Sequence, residues 1–185
     1  MSVFNYIVFP PQAGGQHLAL LMSTAFIKGL DKEYIHMYRA TTGNMDKYSS
    51  YYGDRAPIQC CHIERLRPLI EERNKVKYPY VGVTVLSVPT DTESLAFKRM
   101  EKFTPWMTNS YVRDNFKFLY SKEYVSKVLD LNPDQVFEVT TEKLFTESQF
   151  GEVIQPIIHR MPVNDGLCEL LQKIWLNKIT ESLND

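Results

Sequence analysis

The stretch Gln12-Ala13-Gly14-Gly15-Gln16-His17 has the residue types and spacing best suited to chemistry. An apolar run precedes it and a helix-like run follows, so the chain turns from strand to helix through two glycines. Such a turn points backbone N–H groups out of a helix N-terminus, where they and the helix dipole favour an anion. Glycine permits the unusual dihedrals and close backbone approach that this requires. Gln12 can add an amide hydrogen bond to an oxyanion, and His17, on the first helical turn, can reach the same point. The glycines do not match GxxxxGK[ST] or GxGxxG, and the loop has no lysine. A tight strand-to-helix turn without a ligand would use the same residues.

His62 closes a second apolar segment, Ile58 to Ile63 (I-Q-C-C-H-I). A histidine at a strand end beside an anion loop can take a proton from a hydroxyl group. The alternative is a histidine hydrogen-bonded at a strand end with no catalytic role. Cys60, Cys61 and Cys168 are the three cysteines. Cys60 and Cys61 are adjacent, no CxxC pair exists, and an odd count without a framework fits a reducing cytoplasm. Three cysteines and four histidines without ligand spacing do not suggest a metal site.

Strands and helices must hold these groups in place. Val3 to Phe9 is β-branched and aromatic, as a buried parallel strand is, and Pro10-Pro11 ends it. Gln16 to Leu30 reads as a helix with Leu18, Leu21, Met22, Ala25 and Phe26 on its apolar face, and Gly29 is a plausible terminator. Asp31 to Arg55, with five tyrosines, reads as an irregular excursion that can cover a site. Glu64 to Lys77 reads as partly helical, its start limited by Pro68. Tyr80 to Val88 is the clearest strand, followed by a helix from Thr92 to Phe103 capped by Thr90 or Asp91. Tyr111 to Leu129 reads as mostly helical, Gln135 to Thr140 as a strand, and Thr141 to Phe145 as a helix start or turn. Gly166 to Leu183 reads as a closing helix with Leu167, Leu170, Leu171, Ile174 and Ile179 inward. Trp106 and Trp175 are expected in the core or at an interface. This alternation predicts βαβ units, an α/β class and a mainly parallel sheet with helices on its faces.

The 185 residues suit one domain, 1–185, and 44% hydrophobic with 23% charged residues reads as globular. The net charge of −1 argues against a general nucleic-acid coat. No apolar run approaches the roughly 20 residues of a membrane span, and no basic segment precedes the first apolar run. The expected location is cytoplasmic, without membrane or nucleic-acid partners.

The order of these segments resembles the sulfotransferases that use 3′-phosphoadenosine-5′-phosphosulfate (PAPS). In that family a strand and a Y-P-K-S-G-T-T-W-like loop grip the 5′-phosphosulfate, and Phe9 to Leu18 (F-P-P-Q-A-G-G-Q-H-L) sits in the same context. The resemblance assigns donor binding to Gln12, Ala13, Gly14, Gly15, Gln16 and His17. Cys60-Cys61-His62-Ile63 looks like the family's Thr-His-Leu-Pro-like segment, which makes His62 the catalytic base. Val83 to Phe97 is similar to the strand, turn and helix that carry the 3′-phosphate ligands, and Val136 to Leu144 to a later Y-E-D-L-like stretch. Gln12 stands where the family has its loop lysine, Ser87 at the arginine position and Leu95 at the serine position. Ser94 lies one residue away and Arg99 one turn beyond, so the 3′-phosphate falls to a shifted set of Ser87, Ser94 and Arg99. Arg39, Arg55, Arg99 and Arg113 are candidates to replace the lysine's charge, Arg99 first because its helix follows the third strand. The resemblance implies a three-layer, P-loop-like α/β sandwich, no metal, and a small-molecule or glycan hydroxyl acceptor.

The competing reading is a non-catalytic descendant of that fold, a nucleotide-binding, anion-binding or assembly protein, which would also lack the lysine and arginine. A phosphotransferase is a third reading, but no Walker lysine or magnesium-binding Ser/Thr follows the glycines.

Overall fold

The computed structural model describes residues 4–26, 58–74, 81–158 and 165–184. The Asp31–Arg55 excursion, Gly29, Arg39 and Arg55 lie outside the described residues.

Among the described residues four strands form one sheet: β1 (Phe4–Val8), β2 (Ile58–Cys61), β3 (Val81–Leu86) and β4 (Val136–Val139), in the order β2-β1-β3-β4. Every pairing is parallel, with Ile7 opposite Cys60 and Thr84, and Val85 opposite Glu138. The fold is therefore α/β with a parallel sheet, on the four segments expected from the apolar runs. Helices α1 (Gly15–Phe26), α2 (Ile63–Asn74), α3 (Leu95–Phe103), α4 (Ser110–Leu119) and α5 (Lys122–Leu129) connect the strands. After β4 come α6 (Thr141–Leu144), α7 (Phe150–Ile158) and α8 (Asp165–Asn184).

Side chains alternate across the strands, so β1, β3 and β4 each feed two apolar clusters. On one face Ile7, Leu86 and Val139 meet Leu18, Leu21 and Met22 of α1, Val153 of α7, and Leu171 and Trp175 of α8. On the other, Tyr6, Val8, Val83, Val85 and Val136 meet Leu66 of α2, Tyr120 and Val125. Crossovers of one hand explain this division. The chain moves from β1 outward to β2, then back across β1 to β3, so α1 and α2 must lie on opposite faces. Full burial of side chains such as Ile7, Leu18, Leu21 and Leu66 contributes about 1.5–3 kcal/mol each.

Several boundaries differ from the sequence reading. α3 begins at Leu95, not Thr92, and its cap is Ser94, whose Oγ accepts from Phe97 N at 3.1 Å. Asp91 is not the cap because its carboxylate closes the preceding turn on Glu93 N, 3.0 Å away. Pro68 does not limit the start of α2; the helix begins at Ile63 and contains the proline. The Tyr111–Leu129 region is two helices, divided at Tyr120 and Ser121, and Ser121 caps the second. Leu170 does not face inward: it is 46% exposed, while Gln172 on the same helix is buried. Trp106 is exposed and Trp175 is in the core. No described helix is long and apolar enough to cross a membrane.

Candidate functional site

The connection after β1 leads one way in the sheet and the path after β3 leads the other. The crevice between the carboxyl ends of these two adjacent strands is a topological switch point, where open α/β sheets bind ligands. A cavity of about 270 Å³ lies where the loop after β1 meets the helix after β3. Its lining includes Gln12, Gly14, Gly15, Gln16, His17, His62 and Arg99, seven of the residues singled out from the sequence.

The loop is built by backbone constraint. Ala13 N donates to Pro10 O at 3.2 Å, closing a turn behind the two prolines. Gln12 and Gly14 take positive φ values of 64° and 78°. For glycine this costs little; for Gln12 it stores about 1–2 kcal/mol of local strain. Leu18 N→Gly14 O, 3.0 Å, is the first bond of α1, so the amides of Gly15 and Gln16 point out of the helix end. The glycines also answer to packing. A Cβ on Gly14 would come within 3.0 Å of Leu144 and Trp175, and one on Gly15 within 2.1 Å of the Phe9 ring.

Arg99 supplies the cation. Its Nε donates to Gln12 Oε1 at 3.1 Å, and its guanidinium lies 5.6 Å from the centre of the Phe103 ring. Burial lowers its pKa from the ordinary value, but a guanidinium remains charged in proteins. With Oε1 engaged, the Gln12 amide is left as a donor. Arg113 takes a different place, with its guanidinium 5.8 Å from the Phe97 ring and outside the cavity lining.

His62, at the end of β2, pairs its Nδ1 with the Phe9 carbonyl at 3.0 Å. A carbonyl can only accept, so Nδ1 carries the proton and a neutral ring has its lone pair on Nε2. Phe9 also lies against the imidazole, with centroids 4.9 Å apart. The ring thus has the tautomer and the support of a general base facing the same cavity as the glycines.

His17 is 3% exposed and stacked on Trp175, with centroids 3.9 Å apart and planes at 2°. Its Nε2 lies 2.8 Å from Gln172 Oε1, and Gln172 Nε2 donates to the Leu144 carbonyl. The second contact fixes the amide orientation, so His17 Nε2 is the donor in the first. Burial pushes the His17 pKa down to about 3; the Gln172 bond opposes this, and Arg99 adds to it. His17 therefore borders the cavity as a neutral ring. Unfolding releases it to its ordinary value of 6.5, so between pH 6.5 and about 3 the unfolded chain binds the extra proton. This contribution to stability is present in full above pH 6.5 and is lost as pH falls. About 3 kcal/mol should disappear between pH 6.5 and pH 4. Urea unfolding at the two pH values, on the protein and on His17→Phe, checks this. The variant should show a shallower pH dependence by that amount.

Three expected ligands are not brought to the cavity. Ala13 is fully buried in the apolar core. Ser87 Oγ accepts from Thr141 N at 3.2 Å and its carbonyl accepts from the Thr141 hydroxyl, tying β3 to α6. Ser94 Oγ is spent on the α3 cap and on the Asp91 carbonyl. Gln172 and the site role of Trp175 were not foreseen; nothing local in their segment marks them. Among the described residues no cluster of His, Cys, Asp and Glu could hold a metal ion. No family model, curated protein or solved structure matches the chain.

Proposed function

We propose that the protein transfers a sulfuryl group from PAPS to a hydroxyl of a small molecule or glycan, within a three-layer, P-loop-like fold of the sulfotransferase kind and a cytoplasmic setting. The observation that carries this reading is the convergence of a helix N-terminus, the Arg99 guanidinium and the His62 imidazole on one cavity. The cavity's roughly 270 Å³ lies at the small end of ligand pockets, which suits the phosphosulfate group. The residues fit that end of the donor: the Gly15 and Gln16 amides, the Gln12 amide and Arg99 are all donors. They do not fit the 3′-phosphate, because Ser87 and Ser94 are occupied elsewhere, and no step is assigned to that group.

Held by the Gly15 and Gln16 amides, the Gln12 amide and Arg99, PAPS would supply an activated sulfuryl group for the acceptor oxygen and would leave as adenosine 3′,5′-bisphosphate. His62 Nε2 takes the acceptor's hydroxyl proton. Arg99 and the helix amides stabilise the charge left on the departing 5′-phosphate oxygen, the task of the lysine absent at Gln12. The engagement of Ser87 and Ser94 favours a second reading, a non-catalytic protein that binds an oxyanion at the same loop.

Calorimetry with adenosine 3′,5′-bisphosphate tests the proposal. Binding is expected, and Arg99→Ala should weaken it by about 10- to 100-fold, the loss of one charge-assisted hydrogen bond. No heat at millimolar ligand would sink the donor assignment. Binding without transfer to any hydroxyl acceptor would support the second reading.

A further inference from the structure

The anion loop is gripped from a helix far away in the sequence. Gly14 packs against Leu144 and Trp175, and His17 stacks on Trp175 and donates to Gln172. Gln172 then reaches back to the Leu144 carbonyl, which closes a ring of contacts around the start of α1. Gln172 is 1% exposed and does not line the cavity. Its chemistry explains the choice of residue. A primary amide accepts from His17 through its oxygen and donates to the Leu144 carbonyl through its nitrogen; a carboxylate in that place cannot donate, and an aliphatic chain does neither. In a buried position each unmet polar group would be costly, so the amide holds both partners in register.

We infer that Gln172 is a positioning residue for the oxyanion cavity, acting through His17 to fix the loop amides and the first turn of α1. This rests on reading the cavity as an oxyanion site. Among the described residues, Arg99 from α3 is the charged group that acts on His17, His62 lines the same cavity, and α8 presents the neutral Gln172 and Trp175. A Gln172→Glu change therefore alters the charge preference of His17 from a single side.

The probe is inorganic pyrophosphate, measured by calorimetry at pH 7.5. Gln172→Leu should weaken binding about tenfold in the native sequence, yet less than about twofold in a His17→Phe background, because the effect passes through His17. A second readout uses Trp175 emission after Trp106→Phe, since these are the chain's two tryptophans. With Gln172 in place the emission should not change between pH 8 and pH 5. Gln172→Glu should introduce a titration in that range, as the new carboxylate favours a charged imidazole stacked on the indole. Equal losses in both backgrounds, unchanged affinity in Gln172→Leu, or a flat emission profile in Gln172→Glu overturns the inference and leaves the oxyanion site standing. Absence of pyrophosphate binding to the unaltered protein overturns both. If Gln172→Leu does not fold, the Gln172→Glu titration decides.

Discussion

Under the proposed function, replacing His62 with asparagine is expected to lower sulfuryl transfer by about 10²- to 10⁴-fold, the usual worth of a positioned general base. Asparagine can still donate to the Phe9 carbonyl that His62 Nδ1 now engages, 3.0 Å away. Its other end cannot take a proton. Donor binding should change less than about threefold, because the amides and Arg99 are untouched, so the loss falls on the catalytic rate and not on affinity. Single-turnover transfer together with calorimetry separates the two. Unchanged turnover in His62→Asn would remove this residue from the mechanism. Equal losses in rate and binding would mean that the substitution had disturbed Phe9.

The second large effect is structural and runs against helix propensity. Gly15 is the first residue of α1, where alanine is ordinarily tolerated or better. Here the added methyl would sit 2.1 Å from the Phe9 ring and 2.7 Å from its Cβ, so the backbone-proximal part of Phe9 must move. Gly15→Ala should cost about 3 kcal/mol, the upper range for overpacking, and lower the melting temperature by roughly 6–12 °C. Because Phe9 supports His62 by both its carbonyl and its ring, the proposed transfer should fall as well. Gly151, in α7, provides the control: nothing lies within 4 Å of a Cβ built there. Gly151→Ala should raise stability by up to about 1 kcal/mol. Thermal melts of both variants check the contrast, and a neutral Gly15→Ala would show that Phe9 has room to yield.

The sheet was readable because its strands are short apolar runs rich in β-branched residues. Val81–Leu86 (V-G-V-T-V-L) is too short for a typical helix and rich in valine, which favours a strand buried on both faces. The loop was readable because two glycines after paired prolines permit few backbone paths. Arg99 was only half legible: the family resemblance made it a candidate because its helix follows the third strand, while a charged residue on a helix reads more simply as a surface ion-pair residue, and only the fold turns it to the cavity. The α3 cap was not, since Thr90, Asp91 and Ser94 are all good capping residues and only tertiary bonds decide among them. Glu142 Oε1 holds the backbone of Thr90 and Asp91 while the Asp91 carboxylate turns to Glu93 N, and Ser94 Oγ takes the helix. The inward face of α8 was misread at Leu170 for a related reason. A helix face is assigned by apolar type, yet the buried place went to Gln172, which has two polar partners waiting. Such a residue cannot be distinguished from a surface glutamine until both partners are known.

The bond between His17 and Gln172 spans 155 residues of chain. A contact of such high order forms late, because a long loop must close before any energy is returned. During synthesis at about 5–20 residues per second, the glycine loop would exist for roughly 8–30 seconds before its distant support is made. In that interval the apolar surface of β1 and α1 that α8 covers in the folded chain is not yet covered by it. Ligand binding cannot assist folding until α8 has docked. The loop thus gains its buried support only once nearly the whole described chain has been made.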